Sequence, residues 1–326
     1  MIATHWAALG RLHGFPGKSG AAMAFSPQFH DHTKPRLVTS NVVCMLSMLL
    51  WAIGFPAAEF LLGVWDPLAL IAARLSLAVV FLIPLWILLD GPDAVLRARW
   101  GRGILVGGIG FGLGTYLILV GQSISDPVTV TIVASSMPAI AALMEVMFDG
   151  RRLRRKFVLG LLIAITGGLV AAGTNIGTGS TGLGSLLAFL SVICFAWGSR
   201  AAVRDFPDLS SIGQTTITLA GAMVFAVVAL FFAMQLGLSK GITGPISSEQ
   251  IAALALYAIG GMALSQILWI MGVGRLGIAM AATHLNAAPF YVMVIMLLLG
   301  GIWFWGQAFG ALLVGVGVIV AQWRRA

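Results

Sequence analysis

Charged residues are scarce in this sequence. Asp, Glu, Lys and Arg together make up 9% of the 326 residues, whereas hydrophobic residues make up 59%. A water-soluble surface cannot be built from so few charges. The composition therefore excludes an ordinary soluble protein and predicts a chain that lies in a lipid bilayer.

Cysteine and the common catalytic motifs are also missing or rare. Cys44 and Cys194 both lie inside apolar runs, where a thiol is usually a small buried side chain. The sequence contains no HExxH, GxSxG or Walker A motif, which are signatures of metalloproteases, serine hydrolases and ATP-driven motors. We therefore expect no metal, no cofactor and no enzymatic activity.

Long apolar runs dominate what is present. A bilayer core of about 30 Å needs roughly 20 apolar residues per helix, and these runs lack the two-residue alternation of a barrel strand. The pattern predicts an all-α integral membrane protein with ten transmembrane helices. The expected spans are 40–62, 67–89, 102–120, 127–148, 157–173, 182–202, 212–236, 250–271, 277–299 and 303–322.

The positive charges fall almost entirely on one side of these ten spans. With a cytoplasmic amino terminus, 17 of the 19 Lys and Arg residues lie in cytoplasmic segments, Arg74 lies inside the second span, and only Lys240 lies in an opposite loop. Positively charged loops stay in the cytoplasm, so we expect both termini to be cytoplasmic. We expect the protein itself to lie in the plasma or inner membrane. Residues 1–38 are then a disordered cytoplasmic tail, and the bases of 151–156 fix topology rather than bind nucleic acid.

The second half of the chain resembles the first. SSMPAIAALMEVMFDGRRL aligns with NAAPFYVMVIMLLLGGIW when Pro138 is placed on Pro289, and VLGLLIAITGGLVAAG aligns with AFGALLVGVGVIVAQW when Gly160 is placed on Gly310. The two offsets are 151 and 150. A unit of five helices crosses the membrane an odd number of times, so the two copies must be inverted. Such symmetry provides two related shapes, one open to each side.

These residues resemble a known family. LLWAIGFPAAEFLLGVWDPLALIAARLSLAVVFLIPL, followed by the fourth-helix motif above, is similar to the first half of EamA-type members of the drug/metabolite transporter superfamily. The resemblance assigns 39–174 and 181–323 as the two EamA-like repeats. It implies a ten-helix carrier of small organic solutes, such as amino acids or related metabolites, that works in efflux by alternating access. The family often has Lys or Arg where this chain has Glu59.

Three further questions stay open at this level. The alternative functions are a membrane-embedded enzyme that acts on a lipid-like substrate, and a channel or scaffold protein. The expected partners are a small-molecule solute and the lipid bilayer, with protons as a candidate coupling ion against simple exchange. The oligomeric state is not indicated.

Four ionisable side chains within the spans are candidates for gating or coupling, because a charge in a bilayer needs a partner or a cavity. Arg74 is either a fold-holding residue bonded to carbonyls or a gate that shares a polar network with Glu59. Glu145 is either part of a solvated cluster with Asp149 and the neighbouring bases or a proton-accepting carboxylate. His284 is either a packing residue or a proton-linked group.

Pro138 and Pro289 are predicted to kink the fourth and ninth helices. A proline inside a helix removes one backbone hydrogen bond and displaces the carbonyl four residues back, here those of Ala134 and Leu285. Polar side chains near these kinks and aromatic side chains along the neighbouring spans are the predicted solute-binding residues. They are Trp51, Thr115, Tyr116, Ser135, Ser136, Trp197, Gln266, Trp269, His284 and Asn286.

Overall fold

The described chain is helical almost throughout. A computed structural model describes residues 34–123, 133, 136–172, 182–300 and 305–323. Within these ranges the only β-structure is an isolated bridge between Trp65 and Ile242. The helices of the first half are α1 (Lys34–Leu62), α2 (Pro67–Asp90), α3 (Pro92–Leu96), α4 (Trp100–Gly107), α5 (Gly114–Ser123), α6 (Met137–Asp149) and α7 (Arg155–Ala172).

The second half repeats much of this order. Its helices are α8 (Gly182–Asp205), α9 (Ser211–Gln235), α10 (Ser248–Ala255), α11 (Ser265–Leu276), α12 (Ile278–Ala282), α13 (Ala288–Leu298) and α14 (Trp305–Gln322). Helix α13 starts at an offset of 151 from α6, and α14 starts and ends at an offset of 150 from α7. These are the two offsets that the sequence alignment predicts.

Two π-helical segments interrupt otherwise continuous helices. Gly108–Leu113 joins α4 to α5, and Leu256–Leu264 joins α10 to α11. Both segments contain glycines, and π-bulges of this kind widen a helix and are frequent at functional sites. A 3₁₀ segment, Thr283–Ala287, separates α12 from α13.

Six helical stretches within the described ranges are long and apolar enough to cross a membrane. They are Leu37–Leu62, Pro67–Asp90, Trp100–Ile118, Leu186–Asp205, Ser211–Gln235 and Ser248–Leu276. In the fourth predicted span, helix α6 begins at Met137. In the ninth predicted span, the 3₁₀ segment Thr283–Ala287 separates two short helices. The protein is therefore an all-helical, multi-pass membrane protein.

Close helix packing depends on glycine at two crossings. A Cβ atom on Gly110 would lie 2.5 Å from the Cα of Gly198, and one on Gly261 would lie 3.1 Å from the Cα of Gly54. Neither crossing could hold a larger residue without separating the backbones. The first crossing joins the π segment after α4 to α8, and the second joins the π segment after α10 to α1.

The remaining helices pair across the two halves. α2 packs against α9, α6 packs against α12, and α7 packs against α14. Each pair joins a helix that precedes residue 180 in the sequence to a helix that follows it. The two halves therefore form one interleaved bundle.

Three basic segments, 97–102, 151–156 and 200–204, meet at one end of this bundle, which we call the basic end. Arg102 pairs with Asp205 at 2.7 Å, and Arg200 pairs with Asp149 at 2.5 Å. At the opposite end, two backbone hydrogen bonds join the loop after α1 to the loop after α9, from the Asp66 amide to the Gly241 carbonyl (2.8 Å) and from the Thr243 amide to the Val64 carbonyl (2.9 Å). The segments that carry much of the positive charge thus share one end.

The predicted boundary of the amino-terminal tail needs a correction. Helix α1 begins at Lys34, so residues 34–38 are helical rather than part of a tail. The apolar run and the residues just before it form one continuous helix, because Lys34, Pro35 and Arg36 are all acceptable in a first turn. The rest of the predicted tail lies outside the described residues.

Candidate functional site

The 3₁₀ segment between α12 and α13 places three polar side chains in the interior. Thr283 donates a hydrogen bond to the Met280 carbonyl at 2.7 Å, and the Nδ1 atom of His284 lies 3.2 Å from the Ala281 carbonyl oxygen. Asn286 is only 2% exposed. Neither its Oδ1 nor its Nδ2 atom has a hydrogen-bond partner in the described part of the chain.

The surroundings of this segment come from both halves of the chain. It packs against α1 and α7 from the first half and against α12, α13 and α14 from the second. Asn286 therefore lies where the two halves meet. Thr283 and His284 each have a hydrogen-bond partner within their own turn.

Helix α11 contributes two of the predicted residues. The indole nitrogen of Trp269 donates to the Ser199 hydroxyl of α8 at 2.9 Å, and the Gln266 carbonyl accepts a long hydrogen bond of 3.4 Å from Thr215 of α9. The side-chain nitrogen of Gln266 is buried and has no partner among the described residues. Ser199 and Thr215 were not predicted, although a hydroxyl inside an apolar run was the signal that could have found them.

Arg74 is held by groups of the second π segment. Its guanidinium donates to the Tyr257 hydroxyl at 2.7 Å and to the Gly261 carbonyl at 3.4 Å, and it lies 3.2 Å from the Met262 sulfur. Arg74 thus contacts one hydroxyl, one carbonyl and one sulfur, and its two interpretations, as a fold-holding residue or as a gate, stay predictions. Tyr257 was not predicted, although a tyrosine is rare in this chain. The side chain of Glu59 lies outside the described residues.

Glu145 lies in the interior near the end of α6, which does not suit its interpretation as part of a solvated cluster; its interpretation as a proton-accepting carboxylate stays a prediction. Glu145 is 4% exposed. Its Oε2 atom pairs with Arg151, and its Oε1 atom accepts a hydrogen bond of 3.1 Å from the Ala279 amide. Packing of α6 against α12 closes this carboxylate off from water. Asp149 pairs with Arg200 and Arg204 instead.

Other predicted binding residues are dispersed. Tyr116 is 38% exposed and contacts Phe225 edge-on, with ring centroids 6.5 Å apart. Ser136 donates to the Val133 carbonyl at 2.6 Å, next to the start of α6. Trp51, Thr115 and Trp197 are half-buried on α1, α5 and α8. Ser135 lies outside the described residues.

The two prolines are at helix starts, not inside helices, which corrects their predicted role as kinks. Pro138 is the second residue of α6, and Pro289 is the second residue of α13. A first-turn proline has no intrahelical hydrogen bond to lose. The Leu285 carbonyl is not left open either, since it accepts from the Ala288 amide. The helices are interrupted just before each proline, and Ala134 lies outside the described residues.

Comparison with known proteins gives a family match over part of the chain. Residues 39–172 match the model of the EamA-like transporter family. The first half of the chain is therefore similar to this family. The chain is 27% identical over 278 residues to the uncharacterized transporter YyaM of Bacillus subtilis (strain 168), an alignment that covers 82% of this chain and 88% of YyaM.

The fold of this protein is also found in a solved structure. A crystal structure of 19% sequence identity superimposes with a TM-score of 0.75 and covers 87% of this chain and 97% of the solved chain. At this identity the match establishes the fold alone. The family match over 39–172 and the similarity to YyaM support a membrane transporter.

Proposed function

We propose that this protein is an EamA-type transporter and works as a secondary active carrier that exports a small organic solute, such as an amino acid or a related metabolite, by alternating access. The observation that carries the proposal is a group of matched features in the two halves of the chain. In the first two sets, a helix of one half meets the π segment region of the other half through equivalent residues.

The first matched set uses serine hydroxyls. Ser47 of α1 donates to the Ser265 carbonyl at 2.7 Å, and Ser191 of α8 donates to the Gly114 carbonyl at 2.7 Å. The offset between the two donors is 144, and the offset between the two acceptors is 151.

The glycine crossings form a second matched set. Gly198 follows Gly54 at the same offset of 144, and Gly261 follows Gly110 at the same offset of 151. The helix starts provide a third set, because Asp66 caps α2 and Ser210 caps α9, again at an offset of 144.

Constant offsets along several helices are what a structural repeat produces. The offset of 144 places Phe195 at the position in the second half that corresponds to Trp51.

Five crossings in each repeat make the two copies antiparallel. Inverted repeats of this kind allow the two halves to exchange conformations, so that a site between them opens first to one face and then to the other. Ten membrane helices in two inverted repeats, 39–174 and 181–323, are therefore part of the proposal. The grouping of positive charge at the basic end supports a cytoplasmic location for that end and for both termini.

Accessibility to a thiol reagent tests alternating access without knowledge of the solute. In a background of Cys44→Ala and Cys194→Ala, a Gln266→Cys variant is treated with a membrane-impermeant maleimide in right-side-out and in inside-out vesicles. A carrier exposes this position to each face in turn, so we expect labelling in both preparations. Leu162→Cys, whose native side chain is 56% exposed on the lipid-facing surface of α7, is the matched control and should stay unlabelled.

Labelling of Gln266→Cys from only one face, or from neither, would contradict the proposal. Export is tested separately by comparing the solutes released by cells that lack the protein with those released by cells that overproduce it. Proton coupling through His284 predicts that a pH gradient drives accumulation in inside-out vesicles, whereas simple exchange requires a solute on both sides.

A further inference from the structure

Asn286 has an unusual hydrogen-bonding status for a buried side chain. Buried polar groups are nearly always paired, and a buried amide without a partner destabilises the fold. Among the described residues, Asn286 is the side chain in which a donor and an acceptor are both buried and both unpaired. Gln266 leaves only its nitrogen unpaired, and the Nε atom of Arg74 belongs to a guanidinium that is bonded elsewhere.

The position of Asn286 gives this unpaired amide a functional meaning. It lies in the 3₁₀ segment, between helices of both halves, which is where a solute passes in an alternating-access carrier. Thr283, in the same segment, is equally buried but fully bonded within its own turn. The local backbone therefore does not force side chains of this segment to remain unpaired.

We propose that the carboxamide of Asn286 binds the transported solute through a two-point contact, and that the solute presents an uncharged donor and acceptor on adjacent atoms, as a primary carboxamide does. This inference rests on the proposed function and names the solute class for that site.

The chemistry of an amide defines this class. Asn286 offers one oxygen that accepts and one nitrogen that donates. A carboxylate only accepts hydrogen bonds, so it would leave the Asn286 oxygen without a donor. An ammonium only donates, so it would leave the Asn286 nitrogen without an acceptor. A carboxamide satisfies both atoms at once. A site built around such a pair strongly rejects analogues that lack one partner.

Three probe solutes of similar size separate these possibilities. L-Glutamine, L-glutamate and L-methionine differ in their terminal carboxamide, carboxylate and thioether. Purified protein in liposomes preloaded with one solute is given the same radiolabelled solute outside, and counterflow is measured. We expect counterflow of L-glutamine to exceed that of the other two by at least about tenfold. Asn286→Leu should abolish this preference, while Thr283→Val, the matched control, should retain it.

Thermal unfolding of the detergent-solubilised protein supplies a second test. Asn286→Leu replaces an unpaired buried amide by an apolar side chain of similar size, so its Tm should rise by a few degrees while selectivity is lost. L-Glutamine should raise the Tm of the wild type and of Thr283→Val but not that of Asn286→Leu. A residue that only held the fold would show the opposite change, a lower Tm in Asn286→Leu.

The outcomes are distinct. A lower Tm for Asn286→Leu, or an unchanged solute preference in that variant, overturns the role of Asn286. A wild type that moves none of the three probes, or that prefers L-glutamate or L-methionine, overturns the carboxamide class. Neither result affects the thiol labelling of Gln266→Cys, which judges alternating access by itself.

Discussion

The guanidinium of Arg74 lies 4.0 Å above the ring of Tyr257 and also donates a hydrogen bond to its hydroxyl at 2.7 Å. The two residues are 183 positions apart, on α2 and on the π segment after α10. One tyrosine thus supports a buried cation in two ways, by its ring and by its hydroxyl. In the repeat alignment, Thr218 corresponds to Arg74 at the offset of 144, and Val106 corresponds to Tyr257 at the offset of 151. Neither residue can form the same contact, so it is not repeated in the other half.

Tyr257→Phe should lower the stability of the protein, because it removes the hydroxyl while it keeps the ring. A hydrogen bond to a charged group contributes about 1.5–3 kcal/mol, so we expect the Tm in detergent to fall by a few degrees. Tyr257→Leu removes the ring as well and should lower the Tm further. Equal values for the wild type and Tyr257→Phe would show that the hydroxyl contact contributes nothing.

Gly110→Ala should be strongly destabilising, because the new Cβ atom would lie 2.5 Å from the Cα of Gly198. Backbone cannot yield as a flexible side chain does, so α8 would have to move away from the π segment. Gly315→Ala in α14 is the matched control, since no heavy atom lies within 4 Å of its built Cβ. That change should be neutral or stabilising by about 0.5–1 kcal/mol. Equal Tm changes for the two variants would contradict this packing.

Glu145 links α6 to the start of α12 through the Ala279 amide, and it also pairs with Arg151. In the proposed alternating-access cycle, opening of the basic end separates these groups. Glu145→Gln keeps an acceptor for the amide but loses the ion pair, so the basic end should open more often. We expect labelling of Gln266→Cys from that end to become several-fold faster. Asp93→Asn, an exposed change at the same end, should leave the rate unchanged, and an unchanged rate in Glu145→Gln would exclude this role.

Asp149 should contribute a pH-dependent part of the stability. A hydrogen bond from Arg200 lowers the pKa of this carboxyl from its ordinary value of 3.8, against a smaller opposing effect of burial. A carboxyl whose pKa is lower in the folded state stabilises the fold above its unfolded pKa, and this stabilisation is lost as the pH falls through the folded pKa.

The corresponding experiment compares Tm values from pH 7 down to pH 3. Asp149→Asn should have a lower Tm than the wild type near pH 7, and the two curves should approach each other below the ordinary aspartate pKa of about 3.9. Asp93→Asn serves again as the control. A constant difference between the wild type and Asp149→Asn at every pH would mean that the carboxyl charge is irrelevant.

Much of the architecture was predictable from local patterns. The runs of apolar residues marked the membrane helices, since the bilayer imposes a length and a polarity on every span. The alignment of Pro138 with Pro289 predicted where α6 and α13 begin relative to each other, to the residue. The bases of Arg97–Arg102 and Arg151–Lys156 predicted segments that share one end of the bundle.

The details of the site were less predictable. Pro138 and Pro289 were expected to kink continuous helices, yet a sequence does not tell whether a proline sits inside a helix or in its first turn. For Glu145, the sequence could not decide between a solvated cluster near a helix end and a buried carboxylate. Its burial depends on α12, whose Ala279 is 134 positions away in the chain and invisible to any local pattern.

Composition and periodicity along the chain are enough to predict a bundle of membrane helices, two similar halves and one basic end. The partners of the buried polar groups could be found only in the folded chain: Arg74 bonds Tyr257, Glu145 bonds Arg151 and the Ala279 amide, and Asn286 has no partner in the described part of the chain. A hydrogen bond between distant helices depends on how the helices pack, and packing is set by the whole bundle rather than by any one segment.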